Sequence, residues 1–470
     1  MYPYRSIIER ARHGRRMIYP KQSDTSRLSI MGADITKITT RFPTLDDILI
    51  IPPQFTPLRL EKAIELLVRE PVFFDVDLSC EIGGFRTSIP LIQASMGSPE
   101  VWNRLAPFAA RACAAEGIIY GIGENVAATW GYDVRKDPKQ PSLKERILAY
   151  FDSFRGTGGV VIQQNEEDAA NELWNKIYSD PDFKQYFEEG LIAFEVKAGQ
   201  GAKAGMGGEK IIDRKKALEM RETYYIHPDP LEVEQEFYER HSAPDIFTEE
   251  ILKNRLLKLK NDYPRARIWL KTGPYRDLER VLEIAEIAAI DCVTIDGKEG
   301  GTGMSPSVAL QHVGLPTVVC AAIAKRFKER NPRVSVVLSG RMTTGSDVVK
   351  TRALGLDGIA MGRPFLIAGY SFRFAEHYIG KEMYRNKLIG ELVSKIRKPS
   401  KQSIHLIRNF IEGIKVETQL LTASLGKYSI TQLSDKDILS TNKELGELLA
   451  IESIFDLGKM MKKEALLTLK

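Results

Sequence analysis

Cysteine is scarce in this chain, and what there is does not cluster. Cys80, Cys113, Cys292 and Cys320 lie far apart and form no Cys-x-x-Cys pair. A disulfide framework or a thiolate metal site is therefore not expected, and each residue, set among apolar neighbours, reads as a reduced core thiol. The six histidines show no metal-ligand spacing. No apolar run approaches the ~18–20 residues of a membrane helix. The opening stretch MYPYRSIIERARHGRRMIYP has arginines but neither an apolar core nor a small-residue cleavage site, so no signal peptide is expected. Together with the reduced thiols, this points to a cytoplasmic protein. No block of one charge sign exists either. Sixty-seven basic residues against 62 acidic give +5, spread along the chain, which argues against a nucleic-acid or membrane-surface partner. Internal repeats and low-complexity segments are missing.

What is present is the composition of an ordinary folded protein, 43% hydrophobic and 27% charged. At 470 residues it has room for two or three domains, or for one large barrel with additions. The most distinctive stretch is FEVKAGQGAKAGMGG, Phe194–Gly208. A β-prone run delivers Lys197, then Gln200 and Lys203, onto a loop rich in glycine and alanine. Glycines let backbone N–H groups approach a ligand, and two lysines with a glutamine suit a carboxylate or phosphate. GQGAKA formally matches a dinucleotide fingerprint, but no helix pattern starts there, and Gly205, Gly207 and Gly208 would break one.

Residues 1–84 are mixed and proline-studded, and read as an N-terminal extension packed on the main body. From residue 85 to about 375, short apolar runs alternate with helix-period segments. The strands expected are Pro90–Ala94, Ile118–Gly121, Gly159–Gln163, Leu191–Val196, Arg267–Lys271, Cys292–Asp296, Val334–Leu338 and Gly358–Met361. Helices are expected at Glu100–Glu116, Asp245–Asn261, Arg276–Ala289, Ser305–His312 and Gly345–Leu354. Eight continuously apolar runs with crossover helices indicate an α/β fold, a (β/α)8 TIM barrel, because parallel strands are covered on both faces. Residues 376–470 read as a C-terminal helical region, a cap or an oligomer surface.

The carboxyl ends of the runs carry the chemistry: Ser95-Met96-Gly97-Ser98, then Gly123-Glu124-Asn125, the glycine loop, Lys271-Thr272-Gly273, IDGKEGGTG from Ile295, SGRMTTGSD from Ser339 and MGRPF from Met361. In barrels this is the functional face. A glycine turn after the seventh strand, a helix opening near Gly345 and a second Gly-Arg after the eighth form a phosphate pocket in which Gly340, Arg341, Gly362 and Arg363 would hold a dianion. Asp296 could fix a substrate or a flavin ring nitrogen, or cap a helix. Lys271 could pair with Asp296 or set positive charge beside a flavin. Glu124 could orient an amine, or act as an acid/base if desolvation raises its pKa.

Together SMGSPE (from Ser95), GENV (from Gly123), KAGQGAKAGMGG, ARIWLK, TIDGKEGGTGMSP (from Thr294) and SGRMTTGSDVVK resemble the FMN-binding domain of glutamate synthase and its stand-alone relatives, over residues 40 to 365. The resemblance implies an FMN-dependent barrel passing hydride between flavin N5 and C2 of a 2-imino or 2-amino acid of glutamate or 2-oxoglutarate type. It implies catalytic roles for Lys203, Gln200 and Glu124, with Ser98, Gln200, Lys203 and Arg221 on the substrate, Arg221 on its distal carboxylate. It sets Ser95, Met96, Gly97, Lys197, Lys271, Asp296, Gly300, Gly301, Gly340, Arg341, Gly362 and Arg363 around FMN. The chain departs from the family pattern at two points. The family's iron–sulfur cysteines have no counterpart in FLIAGYSFRFAEHYIG after the eighth strand, so no cluster is expected, and a start at Met1-Tyr2-Pro3 leaves no glutaminase domain. A separate reductase or amidotransferase subunit and a homo-oligomer are then the partners to look for. Three alternatives stay open: 2-hydroxyacid oxidase-like chemistry, isopentenyl-diphosphate isomerase-like chemistry, and a non-catalytic paralogue.

Overall fold

A computed structural model describes residues 42–54, 70–169, 171–242, 247–300, 305–370 and 399–456. Before the barrel come β1 (Ile48–Ile50) and a hairpin of β2 (Cys80–Ile82) and β3 (Phe85–Thr87). Eight strands then close into a parallel barrel: β4 (Leu91–Met96), β5 (Ile119–Ile122), β6 (Val160–Gln164), β7 (Ile192–Ala198), β11 (Arg267–Thr272), β12 (Cys292–Asp296), β13 (Ser335–Ser339) and β14 (Gly358–Met361). All eight expected runs form barrel strands. Helices α1 (Glu100–Ala115), α2 (Leu143–Phe151) and α3 (Leu173–Ser179) cover the first half. Helices α4 (Arg214–Met220) and α5 (Glu249–Asp262) follow β7. The second half carries α6 (Leu278–Ile287), α7 (Thr317–Arg330), α8 (Gly345–Ala353) and α9 (Arg363–Tyr370).

The barrel interior is filled from below. One side chain from each strand (Ile92, Ile119, Val161, Ala193, Trp269, Cys292, Val337 and Ala360) joins Ile82 and Phe85 of the hairpin in a single buried cluster. The hairpin is the floor plate. Gly83 and Gly84 have φ of 53° and 84°, and a side chain at Gly83 would run into the Trp269 ring, whose Nε1 donates to Gly83 O at 3.1 Å. The hairpin thus crosses the residue-84 boundary expected from the sequence, and belongs to the barrel.

Two further features went unread in the sequence, a small sheet after β7 and a strand within the expected C-terminal helical region. After β7 the chain makes a three-stranded antiparallel sheet, β8 (Glu209–Ile212), β9 (Tyr225–His227) and β10 (Tyr238–His241), in the order β8-β10-β9. Its apolar face (Ile212, Ile226, Tyr238) packs with Ala217 of α4 as a satellite core. Near the C-terminus, α10 (Lys401–Ser424) lies along α1, α8 and α9, and β15 (Ile438–Ser440) pairs antiparallel with β1. The C-terminal region therefore adds a strand to its helices and ties the segment around β1 to the barrel. Of the C-terminal helical region expected over 376–470, residues 376–398 and 457–470 lie outside the described residues, as does the start expected for the helix at Asp245.

The cysteines behave as core thiols. Cys113, Cys292 and Cys320 are buried, and burial pushes the partly covered Cys80 thiol up to about 12. Among the described residues no helix is long and apolar enough to cross a membrane.

Candidate active site

Strand alternation decides which side chains reach the inside of the barrel. On β7, Glu195 and Lys197 both point inward, one above the other. Glu195 is sealed beneath the rim and accepts hydrogen bonds from Ser95 Oγ (2.9 Å), Gln163 Nε2 (2.6 Å) and Thr294 Oγ1 (3.0 Å). Burial raises its pKa, against the Lys271 charge and those three donors. One layer higher, Lys197 sits in register beside Lys271 of β11, each only 6% exposed. Two adjacent ammonium groups need anions, and each has one: Lys197 Nζ donates to Glu124 Oε1 at 3.0 Å, and Lys271 Nζ lies 3.7 Å from Asp296 Oδ2.

Glu124 is the clearest correction to the expected chemistry. Burial alone would raise its pKa, as the sequence allowed, but Lys197, Lys203 and Lys271 outweigh burial and bring it down to about 2. Glu124 is a fixed carboxylate, able to orient a cation or an N–H group, and is not a neutral-pH acid.

The glycine loop also works differently from expectation. Gly201 N–H donates to Asp296 Oδ2 at 3.3 Å, and a side chain at Gly201 would strike Gly297 O. Gly199, at φ 122°, lies against the Tyr275 hydroxyl. These glycines let the loop dock on its neighbours, and the docking aims Gln200 and Lys203 over the rim. Opposite them, the turn Ser95–Ser98 is held from outside by Arg146 of α2. That fully buried guanidinium donates to Met96 O (3.4 Å), Gly97 O (3.2 Å) and Asn103 Oδ1 (2.9 Å from Nε). Burial, with no carboxylate partner among the described residues, lowers its pKa to about 10.

At the β13–β14 side, α8 does begin at Gly345, but its amino end is already satisfied. Gly345 N–H donates to Glu417 Oε2 (2.7 Å), and Thr343 and Thr344 donate to Asp347 Oδ2 (2.7 and 3.0 Å). An anion here must instead use the Gly340–Arg341 turn, where φ is 132° and 60°, together with Gly362 and Arg363. Arg363 suits one: burial lowers its pKa, and its Nε is shut off from water with no hydrogen-bond partner among the described residues.

A single cavity of about 970 Å³ spans this rim. It is lined by Ser95, Met96, Gly97, Ser98, Glu124, Lys197, Gln200 and Lys203, and by Lys271, Asp296, Gly300, Gly340, Arg341, Gly362 and Arg363. Every expected site residue that is described comes together there except Arg221. Arg221 ends α4 with its guanidinium 3.0 Å from Glu222 and takes no part in the lining. Gly301 lies outside the described residues. Glu195 and Arg146 were missed: Glu195 hides inside a β-prone run, and Arg146 in a helix that the strand pattern did not mark.

Fold and site define a (β/α)8 barrel with a cation-rich ligand cavity at the carboxyl ends of its strands. A family model described as "Conserved region in glutamate synthase" matches residues 183–427, just over half of the sequence, and the chain belongs to that family. It is 35% identical over 188 residues to a "Glutamate synthase large subunit-like protein" of Rhizobium meliloti (strain 1021), covering 37% of this chain and 39% of that one. It is 31% identical over 195 residues to an "Archaeal glutamate synthase [NADPH]" of Methanocaldococcus jannaschii, covering 39% and 36%. The alignments thus span well under half the length of these curated relatives. Among solved structures, a mutant flavocytochrome b2 with pyruvate bound superposes with a TM-score of 0.50 at 13% identity, covering 88% of this chain and 82% of that one, a likeness of fold.

Proposed function

We propose that the chain is an FMN-dependent oxidoreductase of the glutamate-synthase type, acting at a C–N bond beside a carboxylate of a glutamate- or 2-oxoglutarate-like acid. The observation that carries this reading is the single rim cavity that gathers the phosphate-suited turn of Gly340, Arg341, Gly362 and Arg363 and the oxo-acid-suited pair Gln200 and Lys203. FMN, when bound, supplies a two-electron hydride carrier. Arg363, Gly340, Arg341 and Gly362 would hold its phosphate, while Lys271 would set positive charge near its ring. Ser95, Met96 and Gly97 would line its other side.

Lys203 and Gln200 bind the acid's carboxylate and oxo or imino group by charge-assisted hydrogen bonds, with Ser98 at their side. Glu124, held ionised, accepts from the substrate nitrogen and favours its cationic form. No histidine lines the cavity among the described residues, which weighs against 2-hydroxyacid oxidase-like chemistry with a histidine base. A separate reductase or amidotransferase subunit belongs to the same proposal, as electron and ammonia source.

The test is a flavin titration followed by turnover with glutamate and with 2-oxoglutarate plus ammonia. Gln200→Ala and Lys203→Ala should abolish turnover while leaving the visible flavin spectrum in place. A chain that takes up no flavin, or variants that turn over normally, would sink the proposal.

A further inference from the structure

The cavity has a second wall, made by the small sheet after β7. In β8 and β10, Lys210 stands directly opposite Arg240, and Glu209 directly opposite His241. Alternation sorts these charges by face. Glu209, Glu239 and His241 share the far face, where His241 Nδ1 meets Glu209 Oε2 and Nε2 lies 3.8 Å from Glu239 Oε2. Lys210 and Arg240 share the face that lines the cavity, and Lys216 of α4 joins them.

Like charges directly opposite on paired strands are destabilising, and the sheet's carboxylates sit on the wrong face to relieve this pair. Arg240 has local support, with its guanidinium 4.2 Å from the Tyr224 ring and a hydrogen bond to Gly208 O at 3.0 Å. Lys210 is different. Among the described residues its ammonium meets no carboxylate, and burial, then the charges of Arg240, Lys203 and Lys216, push its pKa well below the lysine range. Asp213, the wall's acidic lining residue, already caps α4 by accepting from Lys216 N–H at 2.9 Å. Arg221, which would have served a distal carboxylate, is turned to Glu222.

We propose that Lys210, Arg240 and Lys216 form a second anion subsite that takes a doubly charged group, a phosphoryl group or a pair of carboxylates, on the part of the substrate held across the barrel from β14. The identity of that molecule as the substrate rests on the function proposed above; the anion site itself does not. Against these three cations a single carboxylate would leave two in excess, whereas a dianion leaves only one and returns Lys210 to its charged form. Binding should therefore take up protons.

The experiment is calorimetry on the full chain at about pH 8, where a lysine of ordinary pKa near ~10.4 would already be charged. Glutamate, O-phosphoserine and γ-carboxyglutamate are titrated in two buffers of different ionisation enthalpy, with and without added FMN. At least one doubly charged ligand should bind roughly tenfold or more tighter than glutamate, with net proton uptake, and the better of the two identifies phosphoryl or dicarboxylate chemistry. Lys210→Gln should erase both the preference and the uptake, and Lys210→Arg should restore the preference without the uptake. Equal affinity for all three ligands, or a preference that survives Lys210→Gln, overturns the subsite. If Lys210→Gln fails to fold, uptake in the wild type that persists in Lys210→Arg does the same. Failure to bind FMN would defeat the proposed function and leave this result to stand alone, since the preference is also measured without flavin.

Discussion

Glu124 shows how one pair of atoms sets the electrostatics of the rim. Its carboxylate, 21% exposed, faces Lys197 at 3.0 Å with Lys203 and Lys271 nearby, so the folded protein holds it near 2 against about 4.3 for a free glutamate. A depressed carboxylate pKa contributes stability that is fully present above the unfolded value and is lost as pH falls toward the folded one. A difference of roughly two pH units corresponds to about 3 kcal/mol at neutral pH. Glu124→Gln should accordingly lose on the order of 2–3 kcal/mol at pH 7, and the gap to wild type should close between about pH 4 and pH 2. Thermal melts across that range check it; a gap that is constant with pH would show that Glu124 contributes no charge. Wild-type turnover should also carry no ionisation of Glu124 between about pH 5 and 8. Residues such as Gln200, Lys203 and Arg363 were legible in the sequence because they lie in glycine-rich strand-end loops. Glu195 was not, since only strand register reveals that it turns into the barrel.

At the scale of elements, α2 and α10 each hold a rim loop in place from behind. Arg146 of α2 ties down the Ser95–Ser98 turn through two carbonyls while it is itself fully buried. Replacing it with leucine strands Gly97 O and Asn103 Oδ1, while Met96 O keeps its bond from Gly123 N–H at 3.1 Å. Each unsatisfied group costs about 1–3 kcal/mol, so Arg146→Leu should lower the denaturation midpoint markedly and weaken FMN binding by tenfold or more, a flavin titration being the readout. Helix α10 meets α8 so closely that a Cβ on Gly345 would lie 2.6 Å from Glu417 Cβ and 2.7 Å from Thr418 N. Gly345→Ala should then cost about 1–3 kcal/mol by overpacking, visible as a shift in urea midpoint. The eight barrel strands were readable because a parallel strand buried on both faces is apolar throughout. The sheet of β8, β9 and β10 was not: its strands are three or four residues long and read EKII, YIH and YERH, with no regular alternation, and the face that packs on α4 through Ile212, Ile226 and Tyr238 also carries Lys210 and Arg240 toward the cavity.

For the molecule as a whole, the sequence suggests cutting the chain at residues 84 and 375, and the contacts cross both cuts. The floor hairpin straddles the first, with Ile82 and Phe85 in one cluster with the barrel strands. Lys350 Nζ of α8 also crosses it, donating to Leu45 O at 3.0 Å, and across the second α10 buries Ile407, Ile411 and Ile414 against the barrel's helices while β15 pairs with β1. Three isoleucines fully buried are worth about 1.5–3 kcal/mol each. Their sum rivals the whole stability of a typical domain, roughly 5–15 kcal/mol, and the capping of α8 by Glu417 would go with them. Residues 85–375 expressed alone should therefore be insoluble or lack a cooperative melt, and should bind no FMN. The chain from residue 42 through 456 should melt cooperatively and bind flavin as the full protein does. If the shorter fragment instead folded and bound FMN with full-length affinity, the terminal segments would be ornament, and the dependence of the rim on α10 would have to be abandoned.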